Sequence, residues 1–549
     1  MPGGRLGVNL GRMTTPRRPP VDVVVVGSGF GGAVAALRLT EKGYRVAVLE
    51  EGRRFEPQDL PKTSWRVRDY LWAPRIGCRG IQRVTPLRDV LVLSGAGVGG
   101  GSLVYANTLY EPPAHVWDDE AWAEELAPWY EQARRMLGVT RFPGDTPADE
   151  VMRGVASRLG VADTFEHTPV GVWFGEDGVD PYFGGAGPAR NGCDLRGACM
   201  TGCRRGAKNS LDRNYLWLAE RNGAEIHAET RVARIASEGH VPEGHVPGTV
   251  PGTWLIETGR GTFQAREVVL AAGVLGTLGI LLRSGVGGPR VGDDVRTNSE
   301  VIVGASARRA DVDYSRGVAI TSMIRADEHT QIQPVRYGRG SNLMGLLGTI
   351  LVDDAGAARW LAAASRNPLA FARSLWLRRW SERTVILLAM QARDNALRVR
   401  LKRGRLTTLD SNAPGSIPVA NEAARIAAEL IGGYPGSSIN EVVLGTPTTA
   451  HILGGACVGS VVDRYHRVLA APGLHVLDGA AVNANLGVNP SLTIVAQAER
   501  ACSLWPNAGE ADPRPPLGEP YEQIDRVTPK RPAVPAGAPA ALSPRPRPA

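Results

Sequence analysis

Val21-Asp22-Val23-Val24-Val25-Val26-Gly27-Ser28-Gly29-Phe30-Gly31-Gly32 decides the reading of this 549-residue chain. Four consecutive valines ahead of a glycine cluster predict a short strand buried on both faces. A helical pattern follows through about Lys42, and Arg45–Leu49 gives a second strand that ends in Glu50. A Gly-x-Gly-x-x-Gly on a strand–turn–helix has a physical purpose at each glycine. Gly27 makes the tight turn, Gly29 lets a pyrophosphate approach the backbone, and Gly32 lets helix and strand pack closely. The helix beginning near Phe30 offers free N–H groups and a positive dipole end to phosphates. Glu50, 23 residues after Gly27, stands where an acid accepts ribose hydroxyls.

A nicotinamide-binding unit would continue as a compact βαβ. Here a second cluster follows, Gly95-Ala96-Gly97-Val98-Gly99-Gly100-Gly101-Ser102, bare enough to lie against a large planar ring or its ribityl chain. A third apolar run, Val268–Ala272, passes through Gly273 into another helix. Val232, in the alternating stretch Glu225–Ala236, is placed with these contacts. A ligand with a long second half accounts for three such turns better than NAD does.

Composition closes off other classes. The chain is 43% hydrophobic, and no apolar run approaches the length of a membrane span. The net charge of +8 lies largely at the ends: residues 1–20 hold four arginines and no acid, and 512–549 hold six Lys/Arg against four acids. The body carries no basic stripe with interleaved aromatics, so nucleic acid is not expected as a partner. Six cysteines in so long a chain make no disulfide scaffold. Arg17–Arg18 is followed by Pro19–Pro20 and a strand, with no signal-peptide core recognised; Met13 is an alternative start. The expected location is the cytoplasm, with peripheral membrane contact open.

The chain resembles the glucose–methanol–choline (GMC) family of FAD oxidoreductases, and within it the branch of the bacterial cholesterol oxidases. The likeness rests on Gly99–Leu103, on His451-Ile452-Leu453-Gly454-Gly455, and on Asp478-Gly479 through Gly487-Val488-Asn489-Pro490. It runs from about residue 20 to 508. It implies a non-covalently bound FAD and oxidation of a 3β-hydroxysteroid to the ketone, with O2 or another electron acceptor. It further implies Gly97, Gly99, Gly100, Gly101 and Ser102 at the flavin, Asp478 and Gly479 at its ribityl or phosphate region, and Pro490 and Thr493 nearby. The Gly95–Asn107 loop has no histidine for a covalent flavin link. Tyr105-Ala106-Asn107 stands where some relatives have Asn-Gly-Gly, which bears on the substrate face and on oxygen access.

Alcohol oxidation by flavin requires a hydride acceptor and a group that takes the hydroxyl proton; imidazole suits neutral pH. His451 matches the family's catalytic histidine, whereas His466 and His475 read as structural. Asn489 reads either as a helix N-cap before Pro490 or as a contact to the substrate oxygen or flavin edge. Shifting a steroid double bond also needs a carboxylate, for which Glu382 is the candidate; the competing reading is an exposed Glu382 paired with a neighbouring arginine. Cys193, Cys199 and Cys203 lack a fourth metal ligand, and no metal is expected. His240 and His245 lie in an imperfect repeat read as a solvated hairpin tip. Arg359–Trp380, with five arginines, four aromatics and no acid, reads as a helix on an anionic bilayer or as a lid, divided at Pro368.

The expected fold class is α/β. A Rossmann-like FAD-binding domain is assembled from discontinuous segments (20–110, 206–298, 466–508). An α+β substrate-binding domain with a mostly antiparallel sheet takes 111–205 and 299–465. Residues 1–19 form a disordered arm and 509–549 a Pro/Arg-rich tail, disordered beyond Pro513. Two other functions fit the same motifs: an FAD-dependent dehydrogenase of another apolar alcohol using a carrier or quinone acceptor, and a flavin- or sterol-binding protein without turnover.

Overall fold

The computed structural model describes residues 20–237, 252–309, 311–411 and 415–542. The arm before residue 20 and the His240/His245 repeat lie outside them. Two seven-stranded sheets organise the chain. In the first, Val21–Val26 is central, parallel to Val46–Leu49 on one side and to the end of Gly261–Leu270 on the other. Glu225–His227 and Leu474–Val476 extend the parallel region outward. Trp254–Thr258 and Val232–Ser237 append an antiparallel hairpin. The valine run is continuous because both faces are covered, and Val23, Val24 and Val25 are fully buried.

Helix Phe30–Glu41 leaves the first strand and packs against helices Ser491–Ser503 and Tyr215–Arg221. Their junction contains a charge cluster. Arg38 donates to both oxygens of Glu499 at 2.8 Å, and Tyr215 Oη donates to the same carboxylate at 2.5 Å. A buried guanidinium needs such a bidentate partner, because an unpaired charge would cost several kcal/mol.

The second sheet is antiparallel throughout. Its centre is Val301–Ala307, Thr384–Gln391 and Thr330–Val335. Alternation divides its faces. Val301, Val303, Val385 and Leu387 join the core beneath helices Pro147–Arg158 and Pro418–Leu430. Ile302, Gly304, Ile386 and Leu388 face the large cavity. Ser322–Arg325 is the next strand outward from Thr330–Val335.

Arg359–Trp380 is two short helices, Ala357–Arg366 and Pro368–Ser374, with Pro368 opening the second as its missing N–H permits. No helix among the described residues is long and apolar enough to cross a membrane. The expectation of a disordered tail is corrected through residue 542. That segment has no helix or strand, yet it is laid along the first sheet's helices. Val527 N–H donates to Ser503 O at 2.8 Å, Arg531 N–H to Glu41 O at 2.9 Å and Ala540 N–H to Tyr182 O at 3.0 Å. Val534 and Ala540 are buried. A proline-rich segment cannot pair with itself, so it takes carbonyls left open at two helix ends, Glu41 and Ser503, and in the loop at Tyr182.

Candidate active site

A cavity of about 940 Å³ runs from the first sheet's turn to the inner face of the second. Its first half is made of backbone. A Cβ on Gly27 (φ +97°) would lie 2.3 Å from Ala271 O, and one on Gly31 1.6 Å from Leu477 O. At Gly29 the nearest atom to a Cβ is Ala271 O at 4.0 Å; the space over Gly29 is the cavity itself. Phe30, Gly100 and Gly101 also line it, with Val232 and Gly273 around the same half and Asp478, Gly479 and Pro490 toward the other. Glu50 lines it too and holds the turn: it accepts from Ser28 Oγ at 2.7 Å and from Gly52 N–H at 2.8 Å. Burial pushes its carboxyl pKa up. Burial likewise raises Asp478 to about 6, against hydrogen bonds from Thr277 Oγ1 (2.6 Å) and Ala480 N–H (2.9 Å). Bare backbone over a helix N-terminus, with an acid at the second strand's end, fits an FAD.

Several expected contacts do not reach the cavity. Gly32 packs helix on strand, since its Cβ would meet Gly27 O at 2.1 Å. Gly97 N–H donates to Glu50 at 3.3 Å, and Gly99 N–H donates to Ser28 Oγ at 3.1 Å. Ser102 Oγ donates to Gly99 O at 2.7 Å and accepts from Leu211 N–H at 3.0 Å. Thr493 Oγ1 meets Tyr130 Oη at 3.0 Å. Gly32 packs as its place in the motif predicts, and the other four shape the loop or its supports from behind the cavity lining.

The other half is made of side chains. His451 Nε2 lies 3.2 Å from Asn489 Nδ2. Asn489 Oδ1 accepts from Gln333 Nε2 at 3.1 Å, which fixes the amide with its N–H₂ toward the imidazole. On the other edge of the ring, Nδ1 lies 2.9 Å from Glu300 Oε1, near but out of line for a straight hydrogen bond. Glu300 also accepts from Thr449 Oγ1 at 2.6 Å and Ala450 N–H at 3.2 Å. The Asn489 N–H₂ donates to Nε2 and so assigns the tautomer: Nε2 uses its lone pair as acceptor, and the neutral ring carries its proton on Nδ1, on the Glu300 side. Asn489 makes no cap hydrogen bond; helix Ser491–Ser503 starts one residue later than expected, with Pro490 at the cap.

Sequence reasoning missed Glu300 and Gln333. Glu300 ends Thr297-Asn298-Ser299-Glu300 ahead of a strand, and Gln333 sits within one; the only signal is a polar side chain where a strand calls for an apolar one. Glu382, by contrast, is not brought to the site. It is buried outside the cavity, accepts from Ser381 Oγ at 2.7 Å, and faces Arg379 at 3.6 Å and Arg339 at 3.7 Å. The arginine pairing of the competing reading is present, but the carboxylate is buried where that reading had it exposed. Among described residues lining the cavity, Glu300 is the carboxylate at the second sheet's end.

His466 and His475 are structural, as read. His466 Nδ1 contacts Val476 O at 2.9 Å, with burial lowering its pKa to about 4, and His475 Nε2 contacts Glu267 at 2.9 Å. The cysteines are free thiols, and burial pushes Cys193 up to about 12. Lys208, buried beside them, donates to the carbonyls of Leu103, Tyr105 and Cys199 at 2.9–3.0 Å and so ties the loop to the 199–208 segment. Asp145, Asp149 and His167 come close enough to share an ion, but Asp149 is engaged by Thr146, Thr321 and Ser322.

A nucleotide-binding parallel sheet, an apolar antiparallel floor and a polarised imidazole between them define an FAD-dependent alcohol oxidoreductase. The chain belongs to the GMC oxidoreductase family: residues 188–301 and 399–498 match its two GMC oxidoreductase regions, and 22–58 match an FAD binding domain. It is 50% identical to a cholesterol oxidase of Mycobacterium tuberculosis over 96% of this chain and 98% of that protein. It is 40% identical to a cholesterol oxidase of Acinetobacter baumannii over 88% of this chain and 94% of that protein. In fold it is similar to pyridoxine 4-oxidase of Mesorbium loti, with a TM-score of 0.55 and 16% identity over 88% of this chain and 98% of that one.

Proposed function

We propose that the protein oxidises a 3β-hydroxysteroid of the cholesterol kind to its ketone, with O2 as electron acceptor. The observation that carries this reading is the 50% identity to a cholesterol oxidase along nearly the whole of both chains. FAD held over Gly27, Gly29, Gly100 and Asp478 supplies a hydride acceptor. The remaining work is done by side chains. His451 Nε2 takes the hydroxyl proton, Asn489 Nδ2 donates to the same oxygen, and Gln333 keeps that amide from flipping. Glu300 holds the ring in the active tautomer and stabilises the imidazolium that forms. The apolar sheet face around Ile386 and Leu388 replaces water about a rigid, insoluble substrate. The reading does not include double-bond isomerisation through Glu382.

The same reading places the protein in the cytoplasm, where free thiols persist, touching a membrane peripherally through 359–380. Leu361 and Leu369 in the two helices and Leu375 just after the second are 56–70% exposed, and the neighbouring Trp376 is 49% exposed, among the arginines of this segment. Ser374 and Trp380 line the cavity, so a bilayer met by this face lies beside the substrate's entrance. Flotation with anionic vesicles, and none with neutral ones, is the expected result.

The function is tested by an anaerobic absorption spectrum of the purified protein before and after cholesterol in detergent. Bleaching of the oxidised flavin, with hydrogen peroxide formed one-for-one with ketone on readmitting air, is expected. A flavin that stays oxidised rules out the steroid. Rapid reoxidation by a quinone but not by air rules out O2 as the acceptor.

A further inference from the structure

Behind the His451–Glu300 pair lies a second buried carboxyl. Glu441, in the helix Ile439–Leu444, is 2% exposed and does not line the cavity. Ile302 N–H donates to its two oxygens at 3.3 and 3.1 Å, and Thr448 N–H donates to Oε1 at 3.3 Å. Ile302 stands just after Glu300 in the chain. Thr448 immediately precedes Thr449, whose hydroxyl donates to Glu300, and lies one turn of chain before His451. One carboxyl therefore clasps the two segments that present the reacting pair.

Among the described residues no cation is paired with Glu441. The charged groups on the elements packed around it include Glu300 itself, Asp353 held by Arg425, and, on the helix Ala357–Arg366, Arg359 facing Asp354 at 3.6 Å and the terminal Arg366. Burial raises the Glu441 carboxyl to about 8, with the Glu300 charge adding to the rise. As pH climbs past that value a second negative charge forms beside Glu300, disfavoured by desolvation and by repulsion alike.

We propose that Glu441 is a positioning residue for the alcohol oxidation: as an uncharged acid it fixes Glu300 against His451 through the Ile302 and Thr448 amides, and its ionisation sets a second negative charge against Glu300, which pushes that carboxylate away from the ring and sets an alkaline limit on turnover. The proposal rests on the His451 chemistry given above.

The test compares the wild-type holoenzyme with E441Q and E441A on a 3β-hydroxysteroid from about pH 6 to about pH 10, alongside infrared spectra of the same proteins without substrate. E441A is expected to lose about tenfold or more in kcat with KM and FAD content little changed, which one lost positioning contact would produce. E441Q keeps an oxygen for both amides and restores most of that loss, and its kcat does not fall above about pH 8 as the wild type's does. The wild-type infrared spectrum is expected to contain a buried carboxylic-acid band that disappears near that pH and is missing from E441Q. An alkaline limb shared by E441Q, or wild-type kcat in E441A at every pH, overturns the proposal, as does a wild-type spectrum without the band. Wild-type protein that binds FAD but oxidises no steroid alcohol overturns the substrate reading instead. In that event the ¹⁵N shifts of the His451 imidazole decide Glu441, and shifts identical in wild type and E441A overturn it.

Discussion

The two halves of the cavity are built on opposite principles. At the FAD end the ligand meets backbone: glycines whose Cβ would strike a neighbouring carbonyl, and N–H groups at a helix start. At the other end it meets three side chains, Glu300, His451 and Asn489, with Gln333 behind Asn489, all brought from separate strands and loops. Backbone recognition tolerates almost nothing added but needs few specific side chains. Side-chain recognition tolerates neighbouring changes but depends on each partner's orientation. Substitutions in the two halves should therefore fail in different ways, and that contrast can be tested directly.

The largest effect is expected at the reacting end. His451→Ala should lower kcat by about a thousandfold, the scale of a lost general base, with flavin content unchanged; stopped-flow flavin reduction under anaerobic conditions measures it. Loss of flavin in this variant would break the comparison. Next is Gly29→Val, whose side chain has room in the protein but not beside a ligand. Overpacking of about 1–3 kcal/mol should weaken FAD binding by about tenfold or more, read by flavin retention on gel filtration, with the apoprotein still folded by circular dichroism.

Asp478 sits where the halves meet and gives a smaller, pH-dependent effect. Its folded pKa of about 6 exceeds the ordinary 3.8, so between those values the folded protein holds a proton that the unfolded chain has lost. Stability from this group is thus full below about pH 4 and is lost as pH rises to about 6. Asp478→Asn should flatten that part of the thermal-unfolding profile. Smallest in catalysis is Glu382→Gln. It should leave kcat and the ketone product within about twofold of wild type, as expected for a residue off the site, while lowering the unfolding midpoint through its lost arginine pairs. A change in double-bond position in the product would show that Glu382 reaches the substrate after all.

These contrasts follow the line between what was legible and what was not. Gly27, Gly29, Glu50 and Gly273 could be placed from spacing because a strand–turn–helix fixes its own geometry within a few residues. His451 and Asn489 were visible through the family's motif, and the structure adds the contact between them. Thr493 was misplaced by proximity to Asn489: along a helix, neighbours in sequence point in different directions, and this one turns to Tyr130. Glu382 was misplaced because an acid beside a strand looks the same in sequence whether it faces a cavity or two arginines. The tail to residue 542 was read as disordered from its prolines, since composition reports only that a segment cannot pair with itself. Helix ends and a loop elsewhere supplied the missing partners.

The sequence by itself determined the nucleotide-binding sheet, the family and the identity of the imidazole, because these rest on local backbone geometry and contiguous motifs. Only the tertiary structure decided that Glu300 stands at one edge of that imidazole and that Gln333 orients the Asn489 amide at the other, that Glu441 clasps the segments presenting it, and that Glu382 lies outside the cavity. Those contacts join residues as far as 156 apart in the chain. Hydrogen bonds and charge pairs of this kind depend on distance and direction in space, which the order of residues alone does not contain.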